Sequence, residues 1–387
     1  MTIQNIFGRL GPACRTAVLV CVAFAVFPAA GEAPGIRYLR DDELPGNGRD
    51  LYNAACAVCH GIDGAGAPAA RVGAVAPLPD FTDCTFATRE ADFDWIAVAL
   101  RGGPVRAFRK HMPAFGDALT RDQLEKIMAH IRTFCANDAW PRGELNLPRP
   151  QVTTKAYPED EAVIEFGYEG EGADTLSATL LYEKRFGARN QWEIAVPYSL
   201  KERLDGNDTD WDSGVGDVAF GLKRVLFSSL ETGSILSLAG EVFLPTGDEG
   251  KGFGRGTAFF EPYLAYGQIL PADCFLQAQT GIGIPWDDDE AEEEAFWRLA
   301  LGHQYNANRY GRRWSPIVEL LGSRELASGA GTHWDLVPQL QVTLSDRQHV
   351  RLSAGVRLPL DNADARETEV LVYVLWDWFD GGLLEGW

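Results

Sequence analysis

Soft metal ligands are scarce in this chain: it has three methionines and six histidines among 387 residues. Positive charge is scarce as well. The 35 Lys and Arg face 55 Asp and Glu, a formal net charge of −20 that argues against nucleic acid as a partner and suits an exported protein. Long apolar runs are missing. Only Thr16 to Phe27 approaches one, and it falls short of the roughly 20 residues a membrane-spanning helix needs. Arg9 and Arg15 precede that run and Pro28-Ala29-Ala30-Gly31 comes after it, so residues 1–31 read as a secretory signal cut after Ala30 or Gly31. Beyond residue 161 there is no nucleotide loop, catalytic triad or zinc site, and His303, His333 and His349 are scattered. That half carries little chemistry to read.

What is present is the stretch Cys56-Ala57-Val58-Cys59-His60. Two thiols three positions apart can add to the two vinyl groups of one haem, and the histidine next to them is placed to ligate its iron. A helical approach, Gly48 to Tyr52, lies upstream, and a glycine-rich loop, Gly61 to Gly66, lies downstream. Much later comes His111-Met112-Pro113-Ala114-Phe115, a methionine on a loop. Together these resemble a class I, single-haem cytochrome c over residues 37–138. The resemblance implies an all-α domain with one covalently attached haem c on Cys56 and Cys59, His60 as the proximal iron ligand and Met112 as the distal one. Met128 lies inside the last helix, where a core role is expected, and His111 is the competitor for the sixth position. A His/Met pair holds the iron at a higher potential and leaves no open site for oxygen, so electron transfer is expected in preference to catalysis.

The other cysteines divide simply. Cys14 and Cys21 leave with the signal, and Cys274 is expected to be a lone packed thiol. Cys84 and Cys135 fall inside the cytochrome-like segment, where an oxidising compartment allows them to pair; two free thiols are the alternative. Gly48, Leu51 and Tyr52 share a helical face. Thr120 to Gln123 reads as a capping box ahead of Leu124, Ile127, Met128 and Ile131. In the family the first and last helices cross at a glycine-to-aromatic contact, which Gly48 and Tyr52 match with Phe134 or Ile131. Ala91 to Arg101 is predicted as an amphipathic helix stopped by Gly102-Gly103. Ala76-Pro77-Leu78 resembles the family loop whose proline carbonyl fixes the proximal imidazole.

Residues 139–160 are punctuated by proline and predict a semi-rigid extended tether, or a strap along the second domain. Residues 161–387 then alternate apolar and polar, as in Trp334-Leu336-Pro338-Leu340-Val342 against Asp335, Gln339, Gln341 and Thr343. About twelve such segments are predicted, starting near residues 161, 174, 189, 214, 233, 256, 272, 294, 313, 332, 347 and 367. Connections after odd strands, such as Lys201 to Ser213, are long; those after even strands, such as Gly187-Ala188-Arg189, are short. The fold class expected is therefore an all-α class I cytochrome c domain followed by an antiparallel transmembrane β-barrel, with a soluble β-sandwich or a lipocalin-like barrel as the alternative. Charges on the polar face (Glu183, Arg185, Asp217, Lys223, Arg351, Arg357) suit a wet lumen, and aromatics near strand ends (Trp192, Tyr198, Trp297, Trp334, Trp376, Trp378) suit interfacial girdles. Trp387, the last residue, resembles a barrel-assembly signal.

Gly214-Val215-Gly216-Asp217-Val218 and Phe243-Leu244-Pro245-Thr246-Gly247-Asp248 resemble the outer-membrane family named after the MetA pathway of phenol degradation. The architecture is similar to fused cytochrome–porins proposed for extracellular iron oxidation. A barrel of about twelve strands is only about 25 Å across, too narrow for a cytochrome domain with a radius of gyration near 13 Å. The haem is then expected at the periplasmic mouth. The expected role is electron transfer at the periplasmic face of the outer membrane. Periplasmic redox proteins and outer-membrane lipid are the partners, and a small molecule or a metal ion is the electron donor. A channel for small, aromatic solutes with an accessory cytochrome, or an anchored electron carrier, are the other readings.

Overall fold

The computed structural model describes residues 46–73, 78–108, 111–135, 137–170, 173–205, 208–306, 310–362 and 366–377. The signal, Ala76-Pro77, and Trp378 through Trp387 lie outside them. Helices come first: α1 (Gly48–Ala55), α2 (Ala57–His60), α3 (Ala69–Val72), α4 (Cys84–Ala87), α5 (Asp92–Arg101) and α6 (Arg121–Arg132). Asn47 caps α1 by accepting from the Asp50 N–H, and Thr120 with Gln123 forms the expected capping box on α6. Leu51, Tyr52, Leu124, Ile127, Met128 and Ile131 bury the α1–α6 crossing. The close approach is possible because Gly48 has no side chain: a Cβ there would sit 2.0 Å from the Lys126 carbonyl oxygen. Tyr52 completes the crossing with Phe134, their ring centroids 5.3 Å apart. A disulfide joins Cys84 at the start of α4 to Cys135 beyond α6, with a Cα separation of 5.2 Å.

Twelve strands come next. They are β1 (Asp160–Glu169), β2 (Thr175–Phe186), β3 (Asn190–Asp205), β4 in two segments (Asp208–Val215 and Val218–Ser229), β5 (Ser234–Leu244) and β6 (Phe259–Ile269). Then come β7 (Cys274–Pro285), β8 (Glu294–His303, with Tyr305–Asn306 beyond a break), β9 (Arg313–Glu325), β10 (His333–Thr343), β11 (Val350–Pro359) and β12 (Glu369–Asp377). Each pairs antiparallel with its sequence neighbour, and β1 pairs with β12 from Glu161↔Asp377 to Glu169↔Glu369, so the sheet closes on itself. Closure removes every edge. The expected loop from Lys201 to Ser213 needs correcting. It is no loop; β3 runs on to Asp205 and β4 returns from Asp208 as a protruding hairpin held by Arg203 to Asp210 and Asp212. Polar residues on both of its faces erase the period-two pattern.

The sides of this barrel are reversed relative to a soluble protein. Outward positions are apolar and exposed around the ring, among them Leu180 (51%), Leu222 (52%) and Leu301 (54%). Inward positions are polar and buried, among them Glu183, Gln191, Lys223, Glu319 and Gln341. No described helix is long and apolar enough to cross a membrane, which says nothing of strands.

The proline-punctuated segment is neither a free tether nor an outer strap. It enters the lumen. Arg149 lies among Glu161, Glu165 and Glu183 at 3.1–3.2 Å. Lys155 pairs with Glu159 and Glu161. The backbone N–H groups of Gln151, Val152 and Thr153 all donate to the Glu319 carboxylate. Pro148, Arg149, Val152, Lys155 and Ala156 present carbonyls to Gln277, Gln341, Arg298, Lys223 and Ser237. Prolines suit such a place: an extended chain with fewer N–H donors has fewer groups to satisfy inside a closed wall. The wet lumen expected from its charges is thus filled, and the charges pair with the inserted segment.

Candidate cofactor site

Cys56 ends α1 and opens α2; its N–H donates to the Tyr52 carbonyl, and its own carbonyl accepts from His60. That single helical turn puts Cys56, Cys59 and His60 at relative positions 0, 3 and 4, on one face. The turn then stops at Gly61, whose φ of 77° suits glycine. The Tyr52 hydroxyl donates to the Gly61 carbonyl at 2.7 Å and ties the loop back onto α1. Phe81 stacks on the His60 ring at 4.9 Å and in turn meets Trp95 of α5 at 5.3 Å.

Met112 reaches the same core. It packs against the cluster that also takes Cys56, Phe81, Trp95 and Ile96. Its loop is pinned to the end of α5, where Gly103 donates to the Met112 carbonyl and Phe115 donates to Ala99. A Cβ on Gly102 would sit 3.1 Å from the Met112 carbonyl oxygen, so the glycine stop of the helix also makes room for the loop. Met128 is buried mid-helix in α6, as its spacing suggested, and His111 is exposed.

The chemistry of this set fits a c-type haem. Cys56 and Cys59 are both free, partly buried thiols. Burial, then the neighbouring Cys59, pushes the Cys56 thiol up to about 11. Burial lowers the His60 imidazole, favouring the neutral form that can ligate a metal. Its Nδ1 is buried without a hydrogen-bond partner among the described residues, and Pro77, the expected partner, lies outside them. Phe81, which stacks on the imidazole, belongs to an apolar cluster with Trp95, Ile96 and Ala99.

The composition did not announce how this domain is fixed to the barrel. Asp94 of α5 is buried between Arg106 (2.8 Å) and Arg313 at the start of β9 (3.1 Å). Burial would raise its carboxyl, but Arg313 and Arg106 hold it below its ordinary range. Arg106 also donates to the Tyr310 carbonyl at 2.8 Å. His349 bridges Glu90 of the helical domain and Asp377 at the end of β12, and Arg89 pairs with Asp160 at the start of β1. Every one of these barrel residues lies at the rim of the short turns. The cytochrome-like domain is seated there.

Residues 43–131 match the family model described as "Cytochrome C oxidase, cbb3-type, subunit III". Residues 173–361 match the one described as "Putative MetA-pathway of phenol degradation". No curated protein matches the chain. Among solved structures, an outer membrane channel from Pseudomonas putida F1 is similar, with 13% identity, a TM-score of 0.41, and coverage of 59% of this chain and 99% of that one. The NanC porin (9% identity, TM-score 0.40) and the KdgM porin (11%, 0.36) each align over 56% of this chain and 99% of theirs. The chain joins a cytochrome c-type domain to a closed twelve-strand barrel that matches the MetA-pathway family of phenol degradation.

Proposed function

We propose that this protein is a single-haem c-type cytochrome fixed to an outer-membrane barrel, passing electrons at the periplasmic face. The observation that carries the reading is that Cys56 and Met112 pack against one apolar core, whose Phe81 stacks on His60, with Cys59 on the same helical turn, in a domain seated on the short-turn rim of an inside-out barrel. In outer-membrane barrels the short turns face the periplasm. The exposed apolar band supports lipid around the strands, and residues 1–31 supply the export signal.

Cys56 and Cys59 would hold the haem covalently; His60 and Met112 would ligate its iron. When bound, the group supplies a reversible one-electron iron couple. The chain's own part is to bind, orient and shield. Tyr52 keeps the loop after His60 in place, Phe81 fixes the imidazole plane, and the Gly102–Gly103 stop holds Met112 inward. With His60 and Met112 both as ligands, the iron would offer small molecules no vacant site, so transfer and not turnover would be the job. The redox partner is a periplasmic electron-transfer protein.

The test is expression of the full chain with a c-type maturation system. A covalent haem spectrum with a methionine–iron band is expected, followed by reconstitution into liposomes of known orientation. An impermeant reductant on the short-turn side should reduce the haem promptly. Failure to acquire haem, or equally fast reduction from the long-loop side alone, overturns the reading.

A further inference from the structure

The loop that carries Met112 is held from two sides, and one of them is the barrel. Between the end of α5 and Met112 the chain makes a single 3-10 turn, Gly103–Arg106, and passes through Ala107 at a φ of 53° to Phe108. Within the helical domain Gly103 is the joint. Its N–H donates to the Met112 carbonyl and its carbonyl accepts from Phe108, both at 3.0 Å. An alanine rarely adopts a positive φ, so this turn depends on contacts outside itself. Two short turns of the rim supply them. Arg106, 3% exposed, donates to the Tyr310 carbonyl at 2.8 Å and, through its other two nitrogens, to Asp94. Arg347, between β10 and β11, stands over the Phe108 ring at 4.5 Å. Tyr310, between β8 and β9, is buried against Phe93 of α5, and Gln348 donates to the Gly311 carbonyl at 3.1 Å, so the two rim turns are joined to each other.

From this arrangement we infer that the barrel rim positions the distal methionine, with Arg106 and Arg347 as the positioning residues. The inference rests on the reading of Met112 as an iron ligand. Ligands are kept in place by the groups behind them, and here those groups come from both domains. Arg106 suits the task because a planar guanidinium spans a carboxylate and a carbonyl at once, which the point charge of a lysine does not. It serves the loop and the interface with one side chain. Arg347 holds the far end of the same loop, four residues ahead of Met112. Loosening the seat therefore loosens the methionine, and the potential of the iron is set in part by a contact with the barrel.

The test uses the full, haem-loaded chain in detergent, with imidazole added to the ferric protein as a small competitor for the place of the methionine. Arg106→Ala leaves Asp94 its Arg313, and Arg347→Ala lies on a barrel turn outside the helical domain, so both should fold and keep covalent haem. Each should weaken the methionine–iron band and bind imidazole at least about tenfold more tightly than wild type, because apparent affinity follows the fraction of chains with the methionine displaced. The midpoint potential should fall as well. Arg106→Lys keeps a charge beside Asp94 but gives up the fork, and should lie between wild type and Arg106→Ala. Cys84→Ser with Cys135→Ser weakens the same domain away from this loop and should keep the wild-type imidazole affinity. Wild-type affinity and potential in both folded arginine variants overturn the proposal while the ligand reading stands. A rise in the cysteine variant as large as theirs also overturns it, since lost stability would then account for the effect. A haem-loaded wild type without the methionine band removes Met112 from the ligand set, and the reading and the proposal fall together.

Discussion

Met112 and Met128 show how one residue type takes two roles within the same core. Met128 is held on a helix face and fills volume; Met112 sits on a loop pinned by Gly103, where its sulfur is free of helix geometry. Met112→Ala should therefore abolish the methionine–iron absorption feature at the red edge of the visible spectrum and lower the potential, while leaving covalent haem attached. Persistence of that band removes Met112 from the ligand set. Gly48 offers a second residue-level test. Gly48→Val drives a side chain into the Lys126 carbonyl and should cost about 1–3 kcal/mol, read by denaturant unfolding of the haem-loaded protein. A stability equal to wild type would mean that the helices cross differently.

At the scale of elements, the Cys84–Cys135 bridge and Arg132 tie α4 to the end of α6. Arg132 donates to the Ala87 and Glu90 carbonyls and stacks over Trp95 at 4.2 Å. Cys84→Ser with Cys135→Ser should lower the stability of the helical domain by about 2–4 kcal/mol, chiefly because a long loop is no longer closed in the unfolded chain. An unchanged unfolding midpoint under reducing and non-reducing conditions contradicts this. The helix α5 carries the other inter-element tie, Asp94 to Arg313. Because the folded carboxyl is held below its ordinary value, its stabilisation is present above about pH 4 and is lost as pH falls through the lower folded value. Asp94→Asn should cost about 3 kcal/mol near neutrality, since it leaves the buried Arg106 without its carboxylate. Wild type and variant should converge in acid; parallel pH profiles would rule out Asp94 as the titrating group.

The whole molecule is a barrel turned inside out with its own chain as filling. The outer band makes one sharp prediction: Leu180→Arg, mid-strand and outward, should destabilise the lipid-embedded barrel by about 2–4 kcal/mol while hardly affecting solubility in detergent. If the variant is neutral in lipid, that face is not the membrane face. The rim contacts hold the helical domain on one side of the barrel through charge pairs, with Phe93 against Tyr310 beside them.

Much of this was legible in the chain alone because it depends on local spacing. Cys56, Cys59 and His60 share a face for the simple reason that one helical turn brings positions 0, 3 and 4 together. The twelve strands begin within a few residues of where the period-two pattern placed them, β4 excepted, because an alternating surface lets only one face meet lipid. The signal for the inserted segment was also present but mute: Pro148-Arg149-Pro150 carries one cation, and Glu161, Glu165 and Glu183 form an acidic patch of inward positions. Nothing in the spacing couples them. Whether the linker lies outside the barrel or within it turns on which buried charges find partners, and that is settled only when β1, β2 and β9 close around the lumen. Local periodicity thus determined what the elements are and which residues could hold a haem. Tertiary structure alone decided that the barrel is filled, because pairing buried charges is a long-range property of the closed sheet.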